Sequence, residues 1–222
     1  MTRRFLTFDC YGTLIDWRTG IEAELRELLG DVRVRGQDLL KAYVAAEAEE
    51  ETEYRSYREV LRRTALSLSG RLGATVSEDE ATRFSGSVPK WPAFKDTGKF
   101  LRDMGSKGFQ TYILSNVDDD ILQETIRKNG LEVEGWVTAQ EVRSYKPSPA
   151  HWVRFMQKTG ARKGEMLHVA QSVYHDIVPC QGLDIASAWV NRYNEKMPSG
   201  PHPMFVTDDL AHLGELLDAE LP

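Results

Sequence analysis

The sequence predicts an α/β fold, a doubly wound parallel sheet interrupted by a helical insertion. Three observations predict it: short apolar runs end abruptly in polar residues, amphipathic stretches separate those runs, and one Ala-, Glu-, Leu- and Arg-rich stretch breaks the alternation after the first run.

Phe5-Leu6-Thr7-Phe8 reads as a buried strand and Asp9-Cys10-Tyr11-Gly12-Thr13 as the polar turn after it, which puts Asp9 at a strand's carboxyl end. From about residue 17 to residue 91 the chain lacks β-branched runs. Leu39-Leu40-Tyr43-Val44 and Val60-Leu61-Leu66 there have helical spacing, and Val88-Pro89-Lys90-Trp91-Pro92 reads as the return linker. The expected core is therefore residues 1–15 plus 93–222, and the expected insertion is 16–92. Within the core, Phe100-Leu101-Met104, Ile121-Leu122-Ile126 and Trp152-Val153-Phe155-Met156 predict helices by their one-sided apolar spacing. Strands are predicted at 109–114, ending in Ser115-Asn116, at 166–170, ending in Gln171-Ser172, and at 185–190, ending in Asn191-Arg192. In such sheets ligands bind beyond the carboxyl ends of the strands, where these polar residues cluster.

Composition narrows the function. The 222 residues carry 28 Lys and Arg against 34 Asp and Glu, a net charge of -6, with no basic block, so neither nucleic acid nor an anionic membrane surface is an expected partner. No apolar run approaches the roughly 20 residues that span a bilayer, and the start Met1-Thr2-Arg3-Arg4 runs into an apolar stretch too short for a secretory signal. A cytoplasmic location is expected. Cys10 and Cys180 are far apart in sequence and suit a reducing compartment, and the run 47–53 reads as a solvated acidic helix face. No GxGxxG, Walker A or G-x-S-x-G signature is present.

Four polar clusters fall at or just beyond the predicted strand ends: Asp9 with Tyr11 and Thr13, Ser115 with Asn116, Lys146, and Asp176. A carboxylate nucleophile needs such surroundings, because an ammonium keeps it ionised while nearby donors hold the substrate's oxygens. Phe8-Asp9-Cys10-Tyr11-Gly12-Thr13-Leu14, Ile113-Leu114-Ser115-Asn116, Tyr145-Lys146-Pro147 and the late Asp176 resemble, in order, the four motifs of the haloacid dehalogenase superfamily. The resemblance implies a Rossmann-like core and makes the insertion a helical cap domain.

Tyr11 points to a branch. Phosphatases of the superfamily carry a second Asp at that position, which protonates the leaving alkoxide beside a magnesium ion. A phenol, with an ordinary pKa of roughly 10, is a poor acid near neutrality, whereas halide leaves without a proton. Asp9-Cys10-Tyr11-Gly12-Thr13 resembles the L-2-haloacid dehalogenase form. That resemblance implies a small anionic substrate, a 2-haloacid, displaced at its α-carbon by Asp9, with no cofactor and no metal. It implies that Thr13, Ser115 and the backbone after Asp9 hold the substrate carboxylate, that Tyr11 and Asn116 flank the substrate and halide, that Lys146 stabilises Asp9, and that Asp176 positions Lys146 and water. The alternatives are a magnesium-dependent phosphatase of a small metabolite and a catalytically impaired binding protein. A homodimer is left open.

The last motif departs from the dehalogenase pattern. Gln171 and Val173 stand where the family has Ser and Asn, and Trp152 stands at a tyrosine position. His175 and Gln171 are expected to position water instead. The halide-binding Arg has no clear counterpart; Arg55 is the expectation, with Arg58 and Lys41 beside it. Trp17, Trp91 and Tyr174 are expected to wall a small pocket. Cys10 is expected to be a buried structural thiol, and His151, His168, His202 and His212 to be structural or exposed.

Overall fold

A computed structural model describes residues 4–220. Residues 1–3 and 221–222, and with them the first three residues of the Met1-Thr2-Arg3-Arg4 start and both ends of the expected core, lie outside the described residues. The strands β1 (Phe5–Phe8), β2 (Gln110–Ser115), β3 (Gly135–Thr138), β4 (Met166–Ala170), β5 (Ala186–Val190) and β6 (Phe205–Thr207) form one parallel sheet in the order β3-β2-β1-β4-β5-β6. The connections reverse direction at β1, so a crevice opens beyond its carboxyl end. Phe8 pairs with Ile113 and Val169, which brings the residues after β1, β2 and β4 to one level.

Both faces of the sheet are covered. Leu6 and Phe8 point into one apolar cluster and Phe5 into another, built with Leu114, Val137, Trp152 and Phe155. Each such side chain contributes about 1.5–3 kcal/mol by leaving water. Helices α5 (Thr97–Ser106), α6 (Asp119–Asn129) and α8 (Ala150–Thr159) lie where the apolar spacing predicts them. The short α7 (Ala139–Val142), α9 (Val178–Leu183) and α10 (Leu210–Glu220) complete the core. Strands β3 and β6 have no counterpart in the sequence reading. Both are sheet edges, of 4 and 3 residues, too short to show a periodicity.

Between β1 and β2 lie α1 (Trp17–Leu29), α2 (Gly36–Glu50), α3 (Tyr57–Arg71) and α4 (Glu78–Ser85). Capping side chains start three of them: Asp16 accepts from the Thr19 N–H, Ser56 from Glu59, and Ser77 from Glu80 in a reciprocal box. The outgoing and returning linkers run side by side, since Ile15 bridges Ala93 antiparallel and the Asp16 N–H donates to the Pro92 carbonyl at 2.8 Å. A second tie joins the helices to the sheet. The buried Asp118 carboxylate accepts the N–H groups of Tyr57 and Arg58, both at 3.0 Å, and so caps α3 from the core side. Among the described residues no helix is long and apolar enough to cross a membrane.

Candidate active site

Asp9 is the first residue past β1, and its backbone N–H donates to the Val169 carbonyl at 3.1 Å. The turn after it is tight: Leu14 and Ile15 N–H groups both reach the Cys10 carbonyl. Gly12 adopts φ +106°, and a Cβ there would stand 3.2 Å from Trp17 Nε1 and 3.3 Å from Gln171 Oε1. Only glycine suits that backbone and that space. Thr13 folds back within this turn and donates from Oγ1 to Asp9 Oδ2 at 3.0 Å.

Lys146 is the hub. Its ammonium, 2% exposed, donates to Asp9 Oδ1 at 2.8 Å, to Asp176 Oδ1 at 2.7 Å and to the Leu114 carbonyl at 2.9 Å. Burial disfavours the charge, but the two carboxylates outweigh it and hold the Lys146 pKa above its ordinary value. Burial raises the Asp9 pKa; Lys146 opposes that rise and Asp176 adds to it. Asp176 is likewise desolvated, yet Lys146 and His168 together push it well below the usual carboxylate range. Two carboxylates in one site thus separate, with Asp176 the firmly ionised one.

A cavity of about 460 Å³ opens above Asp9, bounded by the strand ends on one side and by the helical insertion on the other. Trp17, Trp91 and Tyr174 line it as expected, with Lys146, Ser115, Asn116, Gln171 and His175. Ser115 is fully buried and its Oγ has no hydrogen-bond partner among the described residues; the same holds for Asp176 Oδ2. His175 lies on a π-helical turn, Val173–Ile177, with its N–H on Ser172 Oγ at 3.1 Å and Nδ1 at the same distance. Burial lowers its pKa, so the imidazole is neutral near pH 7.

Several sequence expectations are corrected. Thr13 does not line the cavity; its hydroxyl is spent between Asp9 and the Gln171 N–H, at 3.0 and 2.9 Å. Tyr11 lines the wall with its ring, but its hydroxyl meets Thr125 Oγ1 at 2.8 Å. Asn116 grips the Lys146 backbone through both ends of its amide, at 2.7 and 3.2 Å, and so sets the lysine loop. Trp152 is fully buried beneath β2 and β4, packed on His168, because its place on the inner face of α8 turns it away from the site. Arg55 binds the Glu50 and Glu53 carbonyls and is not among the residues lining the cavity; Arg58 pairs with Asp120, and Lys41 is exposed. The cations lining the cavity besides Lys146 are Arg18 and Lys196. The acidic run is not wholly a solvated face either, since Glu47 and Glu51 line the cavity.

The sequence reading missed one residue that matters. His168 on β4 is fully buried, donates from Nε2 to Asp176 Oδ1 at 3.0 Å and meets Thr7 Oγ1 through Nδ1 at 2.9 Å. A lone polar ring inside the apolar strand Met166–Ala170 was the available signal. Cys10 is buried and unbridged, its thiol pushed far up by burial, as a structural thiol requires. A magnesium ion is ordinarily held through one or two carboxylates, with water filling its other positions. Here the ammonium of Lys146 already takes one oxygen from each converging carboxylate, and among the described residues no three His, Cys, Asp or Glu side chains are grouped to hold a metal.

A family model for haloacid dehalogenase-like hydrolases matches residues 4–179. The chain belongs to that family. Among its relatives, haloacetate dehalogenase H-2 of Moraxella sp. (strain B) is 22% identical over 220 residues, covering 94% of this chain and 96% of that one. (S)-2-haloacid dehalogenase 4A of Burkholderia cepacia is 22% identical over 77% of this chain and 76% of that one. The fold superposes on L-2-haloacid dehalogenase from Xanthobacter autotrophicus with chloropropionic acid covalently bound, at TM-score 0.87 and 19% identity, over 99% of this chain and all (100%) of that chain. As a haloacid dehalogenase-like hydrolase the chain has its polar cluster at the carboxyl ends of β1, β2 and β4, with a helical wall facing it.

Proposed function

We propose that this hydrolase cleaves the carbon–halogen bond of 2-haloacids through an aspartyl ester on Asp9. The observation that carries the reading is the pairing of a lysine-held carboxylate with a phenol at position 11 whose hydroxyl is engaged by Thr125. No acid stands there to protonate an alkoxide, and a halide needs none. The names of the relatives support the same chemistry.

In the first step Asp9 Oδ attacks the α-carbon; a C–O bond forms as the C–X bond breaks, and its electron pair leaves with the halide. Ser115 Oγ, unpartnered in the cavity wall, receives the substrate carboxylate. Water then attacks the Asp9 carbonyl carbon; the acyl C–O bond breaks, the departing oxygen keeps its electron pair and takes one of the water's two protons, and the 2-hydroxy acid leaves as the carboxylate is restored. Asp176 Oδ2 orients that water, and the neutral His175 imidazole takes its other proton. Thr13 and Lys146 fix the nucleophile, and Asn116 fixes Lys146. Residues 16–92 act as the cap, joined to the core, 1–15 plus 93–222, at the paired linkers.

The test is a single turnover in ¹⁸O-water with enzyme in excess over 2-chloropropionate. Label is expected in the Asp9 carboxylate while the first product stays unlabelled. Label appearing directly in that product would rule out the ester route, and Asp9→Asn is expected to lose at least about a thousandfold in kcat.

A further inference from the structure

The cap side of the cavity carries an unusual charge arrangement. Of the acidic run that ends α2, Glu49 pairs with Arg71, Glu50 with Arg63, and Glu53 with Arg55. Glu47 and Glu51, one helical turn apart, line the cavity, and neither has a cationic partner among the described residues. The hydroxyls of Tyr43 and Tyr57 both donate to the same oxygen of Glu47, Oε1, at 2.6 and 2.8 Å, and Oε2 receives no hydrogen bond from any described residue. Both acids stand at the carboxyl end of α2, where the helix dipole already disfavours negative charge. Desolvation raises both pKa values, that of Glu51 to about 8, with Glu47 adding repulsion.

Carboxylates drawn from water ordinarily have a counter-charge. Within this run the protein supplies cations to Glu49, Glu50 and Glu53 and pairs none with Glu47 and Glu51; of the other charges on the cavity, Arg18 is held by Glu195. The strand-end wall offers a donor instead: Ser115, one of the residues lining the cavity, is fully buried with an unpartnered Oγ, while Lys146 beside it is taken up by Asp9, Asp176 and the Leu114 carbonyl. The cavity, about 460 Å³, falls in the range that holds drug-sized ligands and far exceeds what a three-carbon haloacid fills.

We propose that Glu47 and Glu51, braced by Tyr43 and Tyr57, bind an organic ammonium group, so that the substrate is a zwitterion with its carboxylate at the Ser115 end and an amino group at the end of its side chain. This rests on the haloacid reading for the reaction but not for the binding. The aromatic rings beside the two acids favour an ammonium, and a divalent metal ion is tested as the competing occupant.

Binding is measured first, without halogen. Calorimetry compares 4-aminobutanoate, 5-aminopentanoate and 6-aminohexanoate with butanoate, pentanoate and hexanoate. At least one amino acid is expected to bind tenfold or more tighter than its methyl-ended counterpart, and Glu47→Gln is expected to bring that ratio towards one. Should Glu47→Gln fail to fold, Glu51→Gln gives the same readout. Equal or tighter binding of every plain acid overturns the proposal, as does calcium or magnesium alone displacing the amino acid from the wild-type cavity. The matching 2-chloro acids then read kcat/KM, with the amino-ended one expected to be preferred at least tenfold. Amino-acid binding without turnover of any chloro acid would sink the dehalogenase reading and leave the ammonium site standing.

Discussion

At the residue scale the proposed chemistry depends on a chain of three buried contacts, His168 to Asp176 to Lys146 to Asp9. Asp176 Oδ1 receives both His168 and Lys146, so removing the imidazole leaves a buried carboxylate one donor short and loosens the lysine that aims Asp9. His168→Phe, close in volume, is expected to lower kcat about tenfold to a hundredfold, the equivalent of about 1–3 kcal/mol, with KM little changed. Where Asp176 limits kcat at low pH, that limit should also move to higher pH, because the imidazole lowers the Asp176 pKa. A pH profile of kcat checks this. An unmoved profile with lower folded yield would assign His168 to packing alone.

At the element scale the two ends of the insertion meet through close packing. A Cβ on Gly20 in α1 would lie 2.2 Å from Trp91 Cγ, so α1 and the returning linker touch through a glycine. Gly20→Ala is expected to destabilise by about 1–3 kcal/mol and to reduce activity, because displaced Trp91 reshapes the cavity; urea unfolding and KM measure both. The same scale shows what was legible in the sequence. Asp9, Ser115, Lys146 and Asp176 were legible because each follows an apolar run or sits in a short motif, which places it without knowledge of packing. Trp152 and Arg55 were not, because a residue's facing is decided by how its helix or loop docks: Trp152 turns under the sheet, and Arg55 turns to the carbonyls that end α2. Glu47 and Glu51 were read as solvated for the same reason. An acidic run of that spacing contains both the outer face of α2 and its cavity face, and composition does not separate them.

At the scale of the whole molecule, the net charge of -6 gives way to local pairing, with Glu51 a residue whose titration reaches global stability. Its folded pKa, about 8, is raised above the ordinary 4.5 of the unfolded chain, chiefly by burial and then by Glu47. The stability it contributes is fully present below pH 4.5 and is lost as pH rises through 8. Wild-type Tm is therefore expected to fall between those limits, and Glu51→Gln should flatten part of that fall. Thermal unfolding across that interval, comparing the two proteins, provides the check.

The side-by-side linkers at Ile15 and Ala93 carry a consequence for the lineage of such a chain. The hydrogen-bond partners of Asp9 come from the strand ends and their loops, while much of the wall that meets the far end of a substrate comes from helices entering and leaving at one seam. Mutation can therefore rewrite what the chain accepts without disturbing Asp9 and the groups that hold it. Grafting a relative's helices between those two crossing points should transfer preference while keeping Asp9 in place.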